Sequence, residues 1–198
     1  VILLLSELYK QLFHFYVMDN KTYDWWIFPF QLCSLPMYLC AILPFMKKSR
    51  WLIPLETFLM DFNLLGGLMA LLVPDGLMHP YITLTLHAFV WHILLLFVGC
   101  FIGFSRHGDT SLSGFIKTLP ILLICIGAAT LLNVLFHSYG DINMFYISPY
   151  KITTQPVFSQ IMKRTGIWIG NLLYITAMCI AAFLIHRMFA TIRRSCEK

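Results

Sequence analysis

Tyr81-Ile82-Thr83-Leu84-Thr85-Leu86-His87-Ala88-Phe89-Val90-Trp91-His92-Ile93-Leu94-Leu95-Leu96-Phe97-Val98-Gly99-Cys100-Phe101-Ile102-Gly103-Phe104 is an apolar run without a single Asp, Glu, Lys or Arg. An α-helix rises about 1.5 Å per residue, so about 20 apolar residues cross a hydrocarbon core of roughly 30 Å, and this run reads as a transmembrane helix. Comparable runs cover residues 1–17, 27–46, 51–73, 115–136 and 168–190. The expectation is an all-α, polytopic transmembrane bundle of about six helices forming one integral membrane domain over residues 1–198. The run at Val1-Ile2-Leu3-Leu4-Leu5 starts abruptly, which suggests a truncated first helix and sequence upstream of it.

Composition agrees with the runs. The 198-residue chain is 59% hydrophobic and 12% charged, with a mean hydropathy of +0.77, values foreign to water-soluble domains. The net charge of +5 does not read as a nucleic-acid surface, because the basic residues sit in short clusters between apolar runs and act as topology signals. Lys47, Lys48, Arg50, Arg106, Lys117, Arg187, Arg193, Arg194 and Lys198 fall on one set of connections, against Lys21, Lys151, Lys163 and Arg164 on the other. The positive-inside rule then sets the C-terminus in the cytoplasm. The Trp25-Trp26 loop, the Val73-Pro74-Asp75-Gly76 turn and the 137–167 connection face the other side. That last connection is long and polar-aromatic, and reads as a lid or an interfacial segment.

The six cysteines are scattered, with no Cys-x-x-Cys pair, so neither a disulfide framework nor a zinc site is expected. No cofactor is expected either, and the expected partners are membrane lipids.

Polar groups inside apolar runs carry the functional signal, because an unpartnered polar side chain in hydrocarbon is costly. Phe28-Pro29-Phe30-Gln31-Leu32-Cys33-Ser34-Leu35-Pro36 places a thiol, a hydroxyl and an amide between two prolines. Asp61 falls near mid-bilayer, where an ionised carboxylate costs roughly 2.5 to 3.5 kcal/mol, so a partner such as His92 or Asn133 is expected; the bland reading is a protonated Asp joining helices. His87 and His92 are five residues apart, about 140° around a helix, so both cannot point straight into one cavity. One then serves chemistry and the other packs. Cys33 and Cys40 share a helix face with Met37, for which a packing stripe is the plain alternative. Counted along helices, Cys33 lies roughly 9 Å below the outer mouth and His92 roughly 17 Å. A break near Pro36 would close that gap, or His87 is the partner.

Phe30-Gln31-Leu32-Cys33-Ser34, the Val73-Pro74-Asp75 turn, His92, and Asn133 followed by Gly140 and Asn143-Met144-Phe145 together resemble the bacterial YwaF-like integral membrane proteins, and more distantly the eukaryotic transmembrane-protein-164 family. The bacterial likeness implies a plasma-membrane location. The eukaryotic one implies cysteine-dependent acyl transfer on ether phospholipids. Carried over by motif, Cys33 is the nucleophile and His92 its base. Gln31 stands where the family commonly has His, and the gap from Asn133 to Gly140 is longer than usual.

The leading expectation is therefore an intramembrane acyltransferase or lipid-ester hydrolase. Cys33, His92 and Asp61 are its catalytic group, and Gln31, Ser34, His87, Asn133 and Asn143 its substrate contacts. Two other classes compete with it. One is a small-solute carrier or substrate-binding subunit with a midplane site of Asp61, His92 and Asn133; the other is a purely structural membrane component.

Overall fold

The computed structural model describes residues 1–196; Lys198, counted above in the basic tail, lies outside the described residues. Seven helices and no strand occur among them: α1 (Ile2–Phe13), α2 (Leu35–Ile42), α3 (Leu52–Leu72), α4 (Ile82–Phe104), α5 (Leu112–Phe136), α6 (Phe158–Thr165) and α7 (Ile167–Ser195). The expected polytopic helical bundle is what the chain forms. Four helices, α3, α4, α5 and α7, are long and apolar enough to cross a membrane. α1 continues through a π-helical turn, His14–Met18.

The expected helix over 27–46 is shorter than its hydropathy implies. Residues 28–34 are bends and turns, and α2 starts only at Leu35. Prolines account for this. Phe28, before Pro29, has ψ of 130°, since a residue before proline is pushed out of the α region. Pro36 sits in the first turn of α2, where its missing N–H costs nothing. Cys33 is thus on an irregular loop entering the protein, and counting helical residues misjudges its depth.

Small residues bring the long helices together. A Cβ on Gly67 would stand 3.2 Å from the His92 carbonyl oxygen, and one on Gly99 would stand 2.8 Å from the Leu64 Cβ, so α3 and α4 are nearly in backbone contact. At the other end of α4, Gly103 receives the Phe189 ring of α7, which would lie 2.3 Å from an added Cβ.

The connection between α5 and α6 is exposed at both flanks, but its middle, residues 142–148, packs inward. Ile142, Met144 and Ser148 are fully buried, and Met144, Phe145 and Ile147 join the main apolar core with Phe58, Phe62 and Phe115. Irregular backbone at such a place must satisfy its own polar groups within the protein.

Candidate functional site

A cavity of about 450 Å³ opens where the Cys33 loop, α1, α4 and the 143–155 segment converge. Gln31, Cys33, Ser34, His87 and His92 all line it. The loop brings Cys33 there with its carbonyl oxygen accepting from the Trp91 Nε1–H of α4 at 3.0 Å. That bond fixes the thiol-bearing loop to the helix carrying both histidines.

The tautomer of His92 is fixed by its backbone partner. Its Nδ1 lies 2.7 Å from the Ala88 carbonyl oxygen, which only accepts, so Nδ1 carries the proton and Nε2 presents its lone pair. His87 is one turn nearer the start of α4, its ring tilted against Trp91 at 5.7 Å and Tyr9 at 6.1 Å, with Nε2 buried and unpartnered. Both imidazoles line one cavity, contrary to the expectation from their angular separation. The cavity is a groove that wraps α4, from Glu7 and Lys10 of α1 round to Gly66 and Met69 of α3.

α1 supplies charge that hydropathy alone does not reveal. Lys10 Nζ pairs with Glu7 Oε1 at 2.9 Å, and Gln11 Nε2 donates to the same carboxylate at 2.7 Å. Lys10 and Glu7 are also the charged groups that act on Cys33. His14 and His79 complete the polar wall, their rings 6.0 Å apart. His79, between α3 and α4, has its imidazole pushed below the usual histidine range by burial first and by the nearby His14 and Lys10 second.

Three expected substrate contacts serve the backbone instead. Gln31 Nε2 donates to the Asn143 carbonyl at 3.0 Å, and its Oε1 accepts from the Phe145 N–H at 2.7 Å. Asn133, which does not reach the cavity, accepts from the Met144 N–H at 2.6 Å and donates to the Met144 carbonyl at 3.0 Å. Asn143 Oδ1 accepts from the Ser148 N–H at 2.9 Å. A fourth amide, Asn171 of α7, donates to the Ile147 carbonyl at 2.9 Å.

These four amides clamp a strained turn. Phe145 and Tyr146 both sit in the left-handed region, with φ of 57° and 61°, a conformation costing on the order of 1 kcal/mol or more per non-glycine residue. The clamp presents Tyr146 to the cavity, its ring 5.6 Å from Trp26 in an edge contact. Burial pushes the Tyr146 phenol up, with Cys33 and Tyr174 adding to the effect, so it stays protonated and able to donate near neutral pH.

Asp61 is the expectation the geometry overturns. It is fully buried in a π-helical stretch of α3, Leu59–Asn63, with Oδ2 2.9 Å from His186 Nδ1 of α7. His186 Nε2 in turn donates to the Ser111 carbonyl at 2.9 Å. Asp61 therefore contacts neither His92 nor Asn133 and does not line the cavity. The midplane site of Asp61, His92 and Asn133 expected of a carrier does not assemble.

The profile of the TMEM164 family matches residues 1–187, a stretch that holds the cavity and its clamp. The chain belongs to the TMEM164 family. No curated protein matches it, and no solved structure does. For the TMEM164 chain, the sequence singles out Cys33, His87, His92, Gln31 and Ser34, which all line one cavity, although only one of the two histidines was expected there. Sequence reasoning missed Lys10, Glu7, His79 and Tyr146; a charged i, i+3 pair within an apolar helix was the available signal for the first two.

Proposed function

We propose that this TMEM164-family membrane protein is a cysteine-dependent acyltransferase or lipid-ester hydrolase acting on phospholipids. The observation that carries the reading is Cys33 and His92 on one cavity, with the His92 tautomer fixed so that Nε2 is free to accept a proton.

In the proposed reaction, His92 Nε2 takes the Cys33 thiol proton, and the thiolate attacks the carbonyl carbon of an acyl ester. A carbon–sulfur bond forms while the carbonyl oxygen takes up the negative charge, and Tyr146 donates a hydrogen bond to it. The ester C–O bond then breaks; the leaving glycerol oxygen takes the proton from the imidazolium, and a thioester remains on Cys33. A lysolipid hydroxyl or water attacks next, giving its proton to His92, and the thiol is regenerated. Gln31, Asn133 and Asn143 are positioning residues here, acting through the turn that carries Tyr146. Asp61 has no part in the reaction.

The Lys and Arg distribution supports a cytoplasmic C-terminus, and the bacterial YwaF-like resemblance supports a plasma-membrane location. Purified protein in lipid nanodiscs, given phospholipid with a labelled acyl chain, tests the activity. Label should become covalently attached through a hydroxylamine-sensitive bond and be lost in Cys33→Ala with the thermal transition unchanged. Equal labelling in Cys33→Ala would overturn the mechanism.

A further inference from the structure

A second cavity, of about 530 Å³, lies between the starts of α3 and α5, and none of the groups of the Cys33 site lines it. Its walls combine two cations, Arg50 and Lys117, with Trp51, Ile53, Pro54 and Pro120. From this we propose that the cavity is a binding site for a phospholipid with an anionic headgroup. The inference is independent of the catalytic reading.

Lys117 is the residue that needs explaining. It stands five residues into α5, roughly 8 Å along a membrane-spanning helix. Its side chain is exposed, and a Lys this close to the helix end extends its ammonium to headgroup depth. Among the described residues, neither Lys117 nor Arg50 has a carboxylate within ion-pair distance, and Arg50 rests its guanidinium 5.7 Å from the Trp51 ring.

The one acid on the wall, Asp109, is engaged within its own loop. Its Oδ1 accepts from the Ser111 N–H at 2.8 Å, and its backbone N–H donates to the Thr57 hydroxyl at 3.0 Å. Lys117 acts on Asp109 electrostatically without closing an ion pair. The wall thus keeps an excess of positive charge, and an incoming phosphate would pair with it.

Two features favour a lipid over a free anion. Apolar surface continues from the cavity along the helices, with Trp51 42%, Ile53 52% and Ile116 54% exposed, which gives an acyl chain a track. Pro120, which also lines the cavity, lacks an N–H and so leaves the Ile116 carbonyl without its usual helical donor, open to accept from a headgroup hydroxyl. Basic pockets between transmembrane helices recognise anionic headgroups in this way.

Trp51 is a built-in reporter. The intact protein is placed in phosphatidylcholine nanodiscs containing a few mole per cent of brominated phosphatidylglycerol or brominated phosphatidylcholine. The Trp51 signal is the difference between the wild type and Trp51→Phe. Quenching by the anionic lipid should exceed that by the zwitterionic lipid at least threefold. The preference should vanish in Arg50→Gln/Lys117→Gln and persist in the charge-conserving Arg50→Lys/Lys117→Arg, which also controls for folding. Equal quenching by the two lipids, or an undiminished preference in the double Gln variant, overturns the proposal. So does loss of quenching on adding millimolar inorganic phosphate at constant ionic strength, which would mark a free-anion site.

Discussion

The two ends of the bundle bury polar groups in opposite ways. Around Cys33, amides are spent on backbone while reactive atoms are left open: His92 Nε2 accepts from no neighbour, and His87 Nε2 is unpartnered. Around Asp61, Oδ2 and both nitrogens of His186 are used in one chain that ends on the Ser111 carbonyl, and the Oδ1 left unpartnered lies outside the cavity. A polar residue in a membrane span is therefore not a site by itself; a site keeps a lone pair or proton free beside a cavity. The pair at the other end joins α3, α7 and the start of α5, as a structural tie would.

Four sets of substitutions bear on that contrast. The largest effect is expected from His92→Gln, which should lower acyl transfer about 10³-fold while His87→Gln costs less than tenfold. The reverse order, measured as initial rates with labelled phospholipid, would make His87 the base. Asp61→Ala comes next, leaving His186 buried without its partner and costing about 3 kcal/mol of stability. Asp61→Leu/His186→Leu should recover most of it. Detergent unfolding curves read the stability, and turnover per folded molecule should stay within twofold; a selective loss of turnover would return Asp61 to the chemistry.

Tyr146→Phe should lower turnover about 10²-fold through the lost hydrogen bond to the oxyanion without changing Cys33 alkylation by a small thiol reagent. A rate within threefold of wild type would reduce the clamped turn to packing. The smallest effect concerns pH. His79 has its pKa depressed in the folded protein by burial, then by His14 and Lys10. The unfolded chain therefore binds a proton at higher pH than the folded one, and this contribution to stability is present above the ordinary histidine value and lost as pH falls through the lower folded value. His79→Gln should flatten the acid side of the stability profile between those limits. An unchanged slope in thermal melts from pH 7 to 5 would assign the titration elsewhere.

Hydropathy alone gave the helical membrane bundle, because the free energy of placing an apolar run in lipid depends on the run itself and not on its neighbours. The same physics flagged Cys33, His87, His92 and Asp61 as costly and so worth explaining. Even locally, the prolines at 29 and 36 were readable as breaks, though the hydropathic run 27–46 hid how completely they remove its first turns.

What only the tertiary structure decided is who partners whom. Asp61 meets His186 across 125 positions, and Gln31 meets Asn143 across 112. Such pairings depend on how each helix is rotated and how deep it sits against the next, set here by Gly67, Gly99 and Gly103 letting neighbours in to van der Waals distance. A sequence pattern says that a buried hydrogen-bonding group needs a partner. Only the packed helices select one, and with it they separated the residues that tie the bundle together from those left free beside Cys33.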